Sequence, residues 1–218
     1  MSKPKVLYIQ DAMCTWCYAF GGVLDDMQIK YGNDFEFIAY SAGMVVGESI
    51  VEIGKMKTLF DEAIPKVEQY SGVKFGNKFH DLVKEGTFIC NSIKPAIALS
   101  AFKSMKPKGS VEFAHDIQFE YFYNGKNINE RDVYIELATH HGVDSEELLK
   151  RMNDEEFHKL TLNEFEQIKK MGIKEYPVVL GQTEKGIYAL SKGFIPEKDM
   201  DHIFGMFKNT IEQEIAES

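Results

Sequence analysis

Two of the three cysteines in this 218-residue chain stand three positions apart, between a predicted strand and a predicted helix. The run KVLYIQ, residues 5–10, is short, apolar and contains β-branched residues, which predicts a buried strand. The stretch DAMCTWCYAF, residues 11–20, follows at once and contains Cys14 and Cys17. Beyond it, apolar residues recur at the spacing of one helix face: Phe20, Val23, Leu24, Met27 and Tyr31. Cys14 is therefore expected at or next to the N-terminus of the first helix.

A helix start gives the cysteine pair its predicted chemistry. The thiolate is the nucleophile, and the unsatisfied N–H groups and positive dipole end at a helix N-terminus lower the pKa of a cysteine. Cys17 lies one turn further along the same face, close enough to attack a mixed disulfide on Cys14. We therefore expect Cys14 to be the more exposed, attacking sulfur and Cys17 to be the buried, resolving sulfur.

Two other interpretations of the pair stay open but are weaker. Zinc needs four ligands, and the six histidines show no ligand spacing with a cysteine, so no metal site is predicted. Two core cysteines could also fall at this spacing by coincidence. A CxxC between the first strand and first helix of a β-α-β unit is, however, typical of redox-active sites. The solitary third cysteine, Cys90, is expected to be a buried apolar residue.

The predicted elements follow the order β-α-β, a long helical block, and then β-β-α. The run FEFIAY, residues 35–40, predicts a second strand, parallel to the first through a right-handed crossover. Residues 41–171 show helical periodicity and no convincing strand. Strands over 176–180 and 187–190 form a hairpin, and a last helix follows Pro196. The helices predicted in the block are 48–70, 92–105 with Ser92 as N-cap, 109–123, 130–141, 145–152 and 155–171.

Charge and hydropathy argue against two classes of partner. The formal net charge is −9, and an acidic surface attracts neither nucleic acid nor an anionic membrane. No apolar run reaches the about 7–15 residues of a signal-peptide core or the about 20 residues of a membrane span. We therefore expect a cytoplasmic protein, in a compartment where structural thiols stay reduced, without nucleic-acid or membrane partners. The sequence leaves the oligomeric state open.

Three stretches of the chain resemble a known family. CTWCYAF after the first strand and KEYPVVL at the predicted hairpin are similar to the DsbA-like thioredoxin-fold proteins, especially their cytoplasmic FrnE-like branch of dithiol–disulfide oxidoreductases. NSIKPAIALSAF, residues 91–102, is similar to a helix start of that branch and of the kappa-class glutathione transferases. The resemblance implies an α/β, thioredoxin-like fold with a large helical insertion. It assigns residues 1–40 and 172–218 to a thioredoxin-like domain and 41–171 to the insertion.

The resemblance also implies the substrate-binding residues. In this fold the hairpin opens with a cis proline beside the cysteines, which corresponds to Pro177 here. The backbone of the preceding residue, Tyr176, would then pair with an extended substrate chain. Thr15 and Trp16, between the cysteines, are expected to contact the substrate as well. No cofactor is expected, although glutathione is a possible co-substrate.

The chain departs from the family at several positions. DsbA has a histidine between its cysteines, where this chain has Thr15 and Trp16, so we expect a weaker oxidant. Thioredoxins carry a buried acid in the first strand, where this chain has Tyr8, and Glu36 is only a weak candidate to replace it. Trp16 and Phe20 are expected to form an apolar surface around Cys14. Met13 is expected to add adaptable surface there.

Three functions compete on these residues. The first is exchange or isomerisation of disulfides in protein or peptide substrates through Cys14 and Cys17. The second is a glutathione-using enzyme like the kappa-class transferases or chromene-carboxylate isomerases. Members of that group typically have serine at the position of Cys14 and lack the second cysteine, so the intact pair argues against it. The third is a binding or adaptor protein in which the cysteine pair acts as a redox switch.

Overall fold

The structure of the chain is a computed structural model that describes residues 3–216. The strands are β1 Lys5–Gln10, β2 Glu36–Ser41, β3 Val51–Glu52, β4 Ile89–Cys90, β5 Val178–Gln182 and β6 Ile187–Lys192. The helices are α1 Thr15–Tyr31, α2 Lys57–Ser71, α3 Asn77–Glu85, α4 Ile93–Met105, α5 Ser110–Phe122, α6 Arg131–His140, α7 Ser145–Met152, α8 Glu155–Lys170 and α9 Glu197–Ala216. Short 3₁₀ turns cover Gly47–Ser49, Ile53–Met56 and Pro107–Gly109.

The main sheet has the strand order β2-β1-β5-β6. β1 runs parallel to β2, with α1 as the crossover between them, and antiparallel to β5. β5 and β6 form the antiparallel hairpin, with a register irregularity between Val179 and Leu180. The predicted β-α-β opening and the β-β-α end are therefore both confirmed, and the chain is a mixed α/β protein of thioredoxin-like topology with a helical insertion.

The helical block attaches to the open edge of this sheet. β2 is an edge strand, so the N–H groups on its outer side have no strand partner. The N–H of Ala39 donates to Oγ of Ser110 at 3.0 Å, and that of Ser41 donates to Oε1 of Glu164 at 2.6 Å. The second carboxylate oxygen of Glu164 pairs with Lys103 at 2.6 Å. Side chains of α5 and α8 thus accept hydrogen bonds from this edge, where a further strand would otherwise pair. Lys103 of α4 holds one of these acceptors, Glu164, in place.

The start of the helical block differs from the sequence prediction. The predicted helix over 48–70 begins only at Lys57, because 3₁₀ turns and β3 occupy the residues before it. β3 pairs with β4, so the expectation of no strand between residues 41 and 171 is wrong. Strands of two residues carry too little alternation to be recognised by period. α3 was also not predicted; it lies between Gly76 and Gly86, and the latter has a φ of +80°.

The first turn of α4 also corrects a detail of the prediction. Ser92 does occupy the N-cap position, but its side chain makes no capping bond. The Oδ1 atom of Asn91 instead accepts from the N–H of Ile93 at 2.9 Å. The hydroxyl of Ser92 is used elsewhere, in a contact with Asp11 that is described below. Pro95 stands at the third helical position, where its missing N–H leaves no helical hydrogen bond unmade.

One continuous cluster of buried side chains joins the sheet to the helical block. It extends from β1 and α1 through a group of aromatic rings on α2, α3 and α5. Three of these rings, Phe79, Tyr121 and Phe122, are fully buried and contact one another with centroids 4.6–5.1 Å apart. The division into a domain of residues 1–40 and 172–218 and an insertion of 41–171 stays a prediction, and the two parts share this core. Within residues 3–216, no helix has the length and apolar character needed to cross a bilayer.

The packing of α1 on α5 provides a stability test with a matched control. A Cβ at the buried Gly21 would lie 2.3 Å from Cδ2 of His115, whose ring is held by Asp25 at 2.5 Å. At the next position, Gly22, the nearest atom would be 3.9 Å away. We expect Gly21→Ala to destabilise the protein by about 1–3 kcal/mol through overpacking. Gly22→Ala is expected to be neutral or stabilising by up to about 1 kcal/mol, since alanine favours helix.

Urea unfolding of the two variants measures this difference, with circular dichroism as the signal. Equal free energies of unfolding for Gly21→Ala and Gly22→Ala would contradict the close approach of α1 to α5.

Candidate active site

The two cysteines lie at the start of α1, as the sequence predicts. Cys14 is the N-cap residue, with extended backbone angles, and its Sγ atom accepts from the N–H of Cys17 at 3.2 Å. Both thiols are free. Cys14 keeps 6% of its surface exposed, whereas Cys17 is fully buried. Because the Sγ atom of Cys14 receives an N–H group at the open end of the helix, negative charge on that sulfur is stabilised there.

The surroundings of Cys17 disfavour its ionised form. Burial raises the pKa of the Cys17 thiol well above its ordinary value, and the hydrogen bond and charge of the Cys14 sulfur raise it further. The hydroxyl of Tyr8, on β1, donates to the carbonyl of Cys17 at 3.1 Å. Tyr8 is fully buried, and burial raises its own pKa well above the ordinary value. The two sulfurs of the pair thus occupy clearly different environments.

The start of the hairpin lies directly beside Cys14. The Tyr176–Pro177 peptide bond is cis, as predicted. The thiol of Cys14 donates to the carbonyl of Tyr176 at 3.8 Å. The carbonyl of Pro177 accepts from the N–H of Gly193 at 2.8 Å, which fixes this segment to the end of β6. Residues 162 positions apart in the sequence are therefore brought into contact around one sulfur.

Aromatic side chains border the site on one side. Trp16 is partly buried, and its ring lies 5.9 Å from Phe194 and 6.3 Å from Tyr70, which is 72% exposed. Thr15, the first residue of α1, is half-buried. The expectation for Phe20 is wrong, because its ring is fully buried between Tyr8 and Phe194 and forms no surface.

Met13 is likewise not part of a binding surface, since it is 3% exposed and belongs to the core. Exposed aromatic surface at the cysteine turn comes instead from Trp16 on α1, with Tyr70 on α2 and Phe194 after β6 lying 6.3 and 5.9 Å from its ring. Two of these three were not predicted, because they are far from the cysteines in sequence.

A buried acid next to the pair was missed by the sequence analysis. Asp11 is fully buried at the end of β1. Its Oδ1 atom accepts from the N–H of Met13 at 2.9 Å and from the hydroxyl of Ser92 at 2.7 Å. Its Oδ2 atom accepts from the N–H of Met44 at 2.7 Å. Burial raises the pKa of Asp11, and these hydrogen bonds oppose the shift without cancelling it.

The backbone of Asp11 also takes part in the site. Its carbonyl accepts from the N–H of Cys14 at 3.1 Å and from Nε2 of Gln118 at 3.0 Å. Nε2 of Gln118 also donates to Oε1 of Gln10 at 2.7 Å. A backbone hydrogen bond from Asp11 lowers the pKa of Cys17, and the charge of Asp11 raises it by less. An aspartate three residues before the first cysteine was the available signal.

Glu36 and Cys90, the two other residues considered in the sequence, do not belong to this site. Glu36 pairs with Lys5 at one end of the β1–β2 ladder, whereas Gln10, next to Asp11, pairs with Ser41 at the other. Glu36 is thus far from the cysteines and does not replace the missing acid. Cys90 is fully buried, its sulfur lies 3.8 Å from the hydroxyl of Tyr121, and burial raises its pKa.

Comparison with known proteins gives distant relatives in sequence. No model of a protein family matches this chain. It is 25% identical over 177 residues to the ClpXP adapter protein SpxH of Halalkalibacterium halodurans, covering 80% of this chain and 58% of that one. The SpxH of Bacillus subtilis is also 25% identical, over 157 residues, covering 70% of this chain and 50% of that one. The chain thus spans about half the length of the curated relatives it matches.

Solved structures match over almost the whole chain. A Nitrosomonas europaea protein assigned to the protein disulfide isomerases superimposes with a TM-score of 0.83 at 16% identity, covering 96% of this chain and 99% of that one. The cytosolic disulfide reductase DsbM from Pseudomonas aeruginosa gives 0.75 at 16% identity, with 98% and 100% covered, and has also been solved with GSH. A 2-hydroxychromene-2-carboxylate isomerase gives 0.66 at 10% identity, with 98% and 99% covered. The chain therefore has the DsbA-like thioredoxin fold with its helical insertion, and it presents a CxxC pair at the start of the first helix of that fold.

Proposed function

We propose that this protein is a thiol–disulfide oxidoreductase that uses Cys14 as the nucleophile and Cys17 as the resolving thiol. The observation that carries the proposal is the pair of unequal sulfurs beside the cis proline. Cys14 accepts an N–H group at the helix start and contacts Tyr176, whereas Cys17 is fully buried one turn further on. The similarity to disulfide isomerase and disulfide reductase structures supports the same chemistry.

The first step of the proposed reaction forms a bond on Cys14. The Cys14 thiolate attacks one sulfur of a substrate disulfide, the substrate S–S bond breaks, and the other substrate sulfur leaves as a thiolate that takes up a proton. The product is a mixed disulfide between Cys14 and the substrate. The N–H of Cys17, 3.2 Å from the Cys14 sulfur, stabilises the attacking thiolate.

The second step releases the substrate. Cys17 loses its proton and attacks the Cys14 sulfur, which forms the Cys14–Cys17 disulfide and frees the second substrate thiol. The substrate has then gained two electrons and two protons. Because burial raises the pKa of Cys17, only a small fraction of this thiol is in the attacking thiolate form at neutral pH. A thiol reductant returns the pair to the dithiol form; reversal of both steps oxidises a substrate dithiol instead.

We propose peptides or small thiols as substrates, with glutathione as a candidate co-substrate. The rings of Trp16, Tyr70 and Phe194 offer an apolar surface next to Cys14. The Tyr176–Pro177 segment, which contacts Cys14, offers backbone for an extended chain. The GSH complex of the similar DsbM structure supports glutathione. The description of DsbM as cytosolic agrees with the compartment expected from the sequence of this chain.

An adaptor role is the second candidate, and it rests on one observation. The curated relatives in sequence are both ClpXP adapter proteins, although this chain spans about half of each. In that case the apolar surface around Trp16 binds a partner protein, and the cysteine pair either switches binding or is not needed for it. The adaptor and enzyme proposals make different predictions for Cys14→Ser.

Serine variants test the proposed function by insulin reduction with dithiothreitol as the reductant. We expect Cys14→Ser to reduce turnover to the uncatalysed rate, because the two remaining thiols, Cys17 and Cys90, are fully buried. In a parallel reaction without dithiothreitol, Cys17→Ser should trap the Cys14–substrate mixed disulfide, which non-reducing electrophoresis detects. Cys90→Ala is the matched control and should keep turnover. Wild-type turnover by Cys14→Ser would contradict the thiol mechanism, and a wild type without turnover would favour the adaptor role.

Alkylation provides a second prediction about the roles of the two sulfurs. Cys14 keeps 6% of its surface exposed, whereas Cys17 and Cys90 are fully buried and have raised pKa values. We expect limiting iodoacetamide to label Cys14 first and the other two cysteines only slowly. Mass spectrometry of tryptic peptides measures the three rates. Equal rates would contradict the assigned roles.

The pH dependence of the second step gives a third prediction. In a mixed disulfide the thiol of Cys14 is gone, but the burial of Cys17, the largest cause of its raised pKa, remains. The thiolate fraction of Cys17 should then rise about tenfold per pH unit through neutral pH, and the rate of resolution with it. Reaction of the dithiol protein with one equivalent of Ellman's reagent, followed by stopped-flow detection of the second release, measures this rate. A rate independent of pH between 6 and 8 would contradict the prediction, and Cys17→Ser, which cannot resolve, is the control.

A further inference from the structure

Two adjacent histidines that take no part in the proposed redox chemistry lie beside an aspartate in the helical block. His140 ends α6, His141 follows as its C-cap, and Asp116 lies on α5. Nε2 of His141 is 2.8 Å from Oδ2 of Asp116, and Nε2 of His140 is 3.7 Å from the same oxygen. One ligand atom from each of the three side chains lies within 4.8 Å of the other two.

The distances between these three ligand atoms are suitable for joint binding of one small cation. Zinc binds imidazole nitrogen and carboxylate oxygen at about 2.0–2.2 Å, so two tetrahedral ligands lie about 3.4 Å apart. The distances of 2.8 and 3.7 Å to Asp116 fall on either side of that value. His140 is 69% exposed, so its side chain can rotate toward the other two without moving the core.

The ring of His141 is already held in place. Its side chain is 2% exposed and lies against the rings of Phe102 and Phe113, each with its centroid 5.3 Å away. Its second nitrogen, Nδ1, lies 4.0 Å from Oε2 of Glu112, one turn before Asp116 on α5. That distance is too long for a hydrogen bond, but the carboxylate lies on the side where a metal-bound histidine usually has its outer-shell partner.

We propose that Asp116, His140 and His141 form a binding site for a divalent transition-metal ion, with Zn²⁺ as the best match. Two imidazoles and one carboxylate suit zinc and its neighbours, whereas calcium and magnesium prefer oxygen ligands alone. Three protein ligands leave a fourth position for water on the exposed side of the cluster. The bound ion joins the end of α6 to α5. The site does not depend on the proposed redox function.

Isothermal titration with Zn²⁺ tests the site in the full chain after treatment with EDTA. Since a CxxC pair can itself bind zinc, the titration is done on Cys14→Ser/Cys17→Ser as well as on the wild type. We expect the double serine variant to bind one Zn²⁺ per chain. In that background His140→Gln and Asp116→Asn should each weaken binding by at least about tenfold, the lower limit for loss of even an outer-shell partner. His158→Gln, which removes an exposed histidine of α8, is the matched control and should bind like its parent.

A second readout separates ligation from a structural effect. Co²⁺ in the double serine variant should give d–d absorption without a thiolate charge-transfer band, and His140→Gln should remove it. Thermal unfolding in EDTA should be unchanged by His140→Gln, because that side chain is mostly exposed. Absence of saturable Zn²⁺ binding, or equal affinities for His140→Gln, Asp116→Asn and His158→Gln, would overturn the proposal.

Discussion

The geometry of the site depends on the hydrogen bonds that the buried carboxyl group of Asp11 accepts. A carboxyl group without polar partners is costly to bury, and hydrogen bonds from several fixed donors offset part of that cost. Asp11 receives three, from Met13 in its own turn, from Met44 after β2 and from Ser92 at the start of α4. These donors come from three separate segments of the chain. One side chain therefore joins the turn that carries Cys14 to the sheet and to the helical block.

This arrangement explains why the helical block belongs to the site. Ser92 donates to Asp11 and accepts from the N–H of Val45 at 3.0 Å, so its hydroxyl is satisfied in both directions. Gln118, on α5, bonds both the side chain of Gln10 and the carbonyl of Asp11. The block thus supplies polar partners to the end of β1, from which the cysteine turn begins. Loss of such a partner leaves a buried group unsatisfied, at a cost of about 1–3 kcal/mol.

The sequence predicted the parts of the fold that have a clear period and the parts of the site that are local. β1 and α7 were predicted with the observed bounds, and the hairpin and the cis bond at Pro177 were confirmed. Local spacing also placed Cys14 at the start of α1. The two-residue strands β3 and β4 were missed, because they depend on pairing between residues 37 and 39 positions apart (Glu52 with Ile89, Val51 with Cys90) rather than on a pattern of their own. Asp11 was missed for a similar reason, since its role comes from partners 33 and 81 residues away.

The stretch NSIKPAIALSAF starts a helix, as its resemblance to the family implies, but Ser92 does not make the capping hydrogen bond. Its serine was interpreted as a helix cap, but Asn91 provides the capping interaction and leaves the hydroxyl of Ser92 for Asp11. Asn91 thus caps α4, whereas Ser92 orients the acid beside the cysteines. Ser92 directly precedes α4, so its hydroxyl group is held in place by a helix rather than by a loop. A substitution that preserves helix capping would still disturb Asp11, so the Asn-Ser pair constrains the site as much as it constrains the helix.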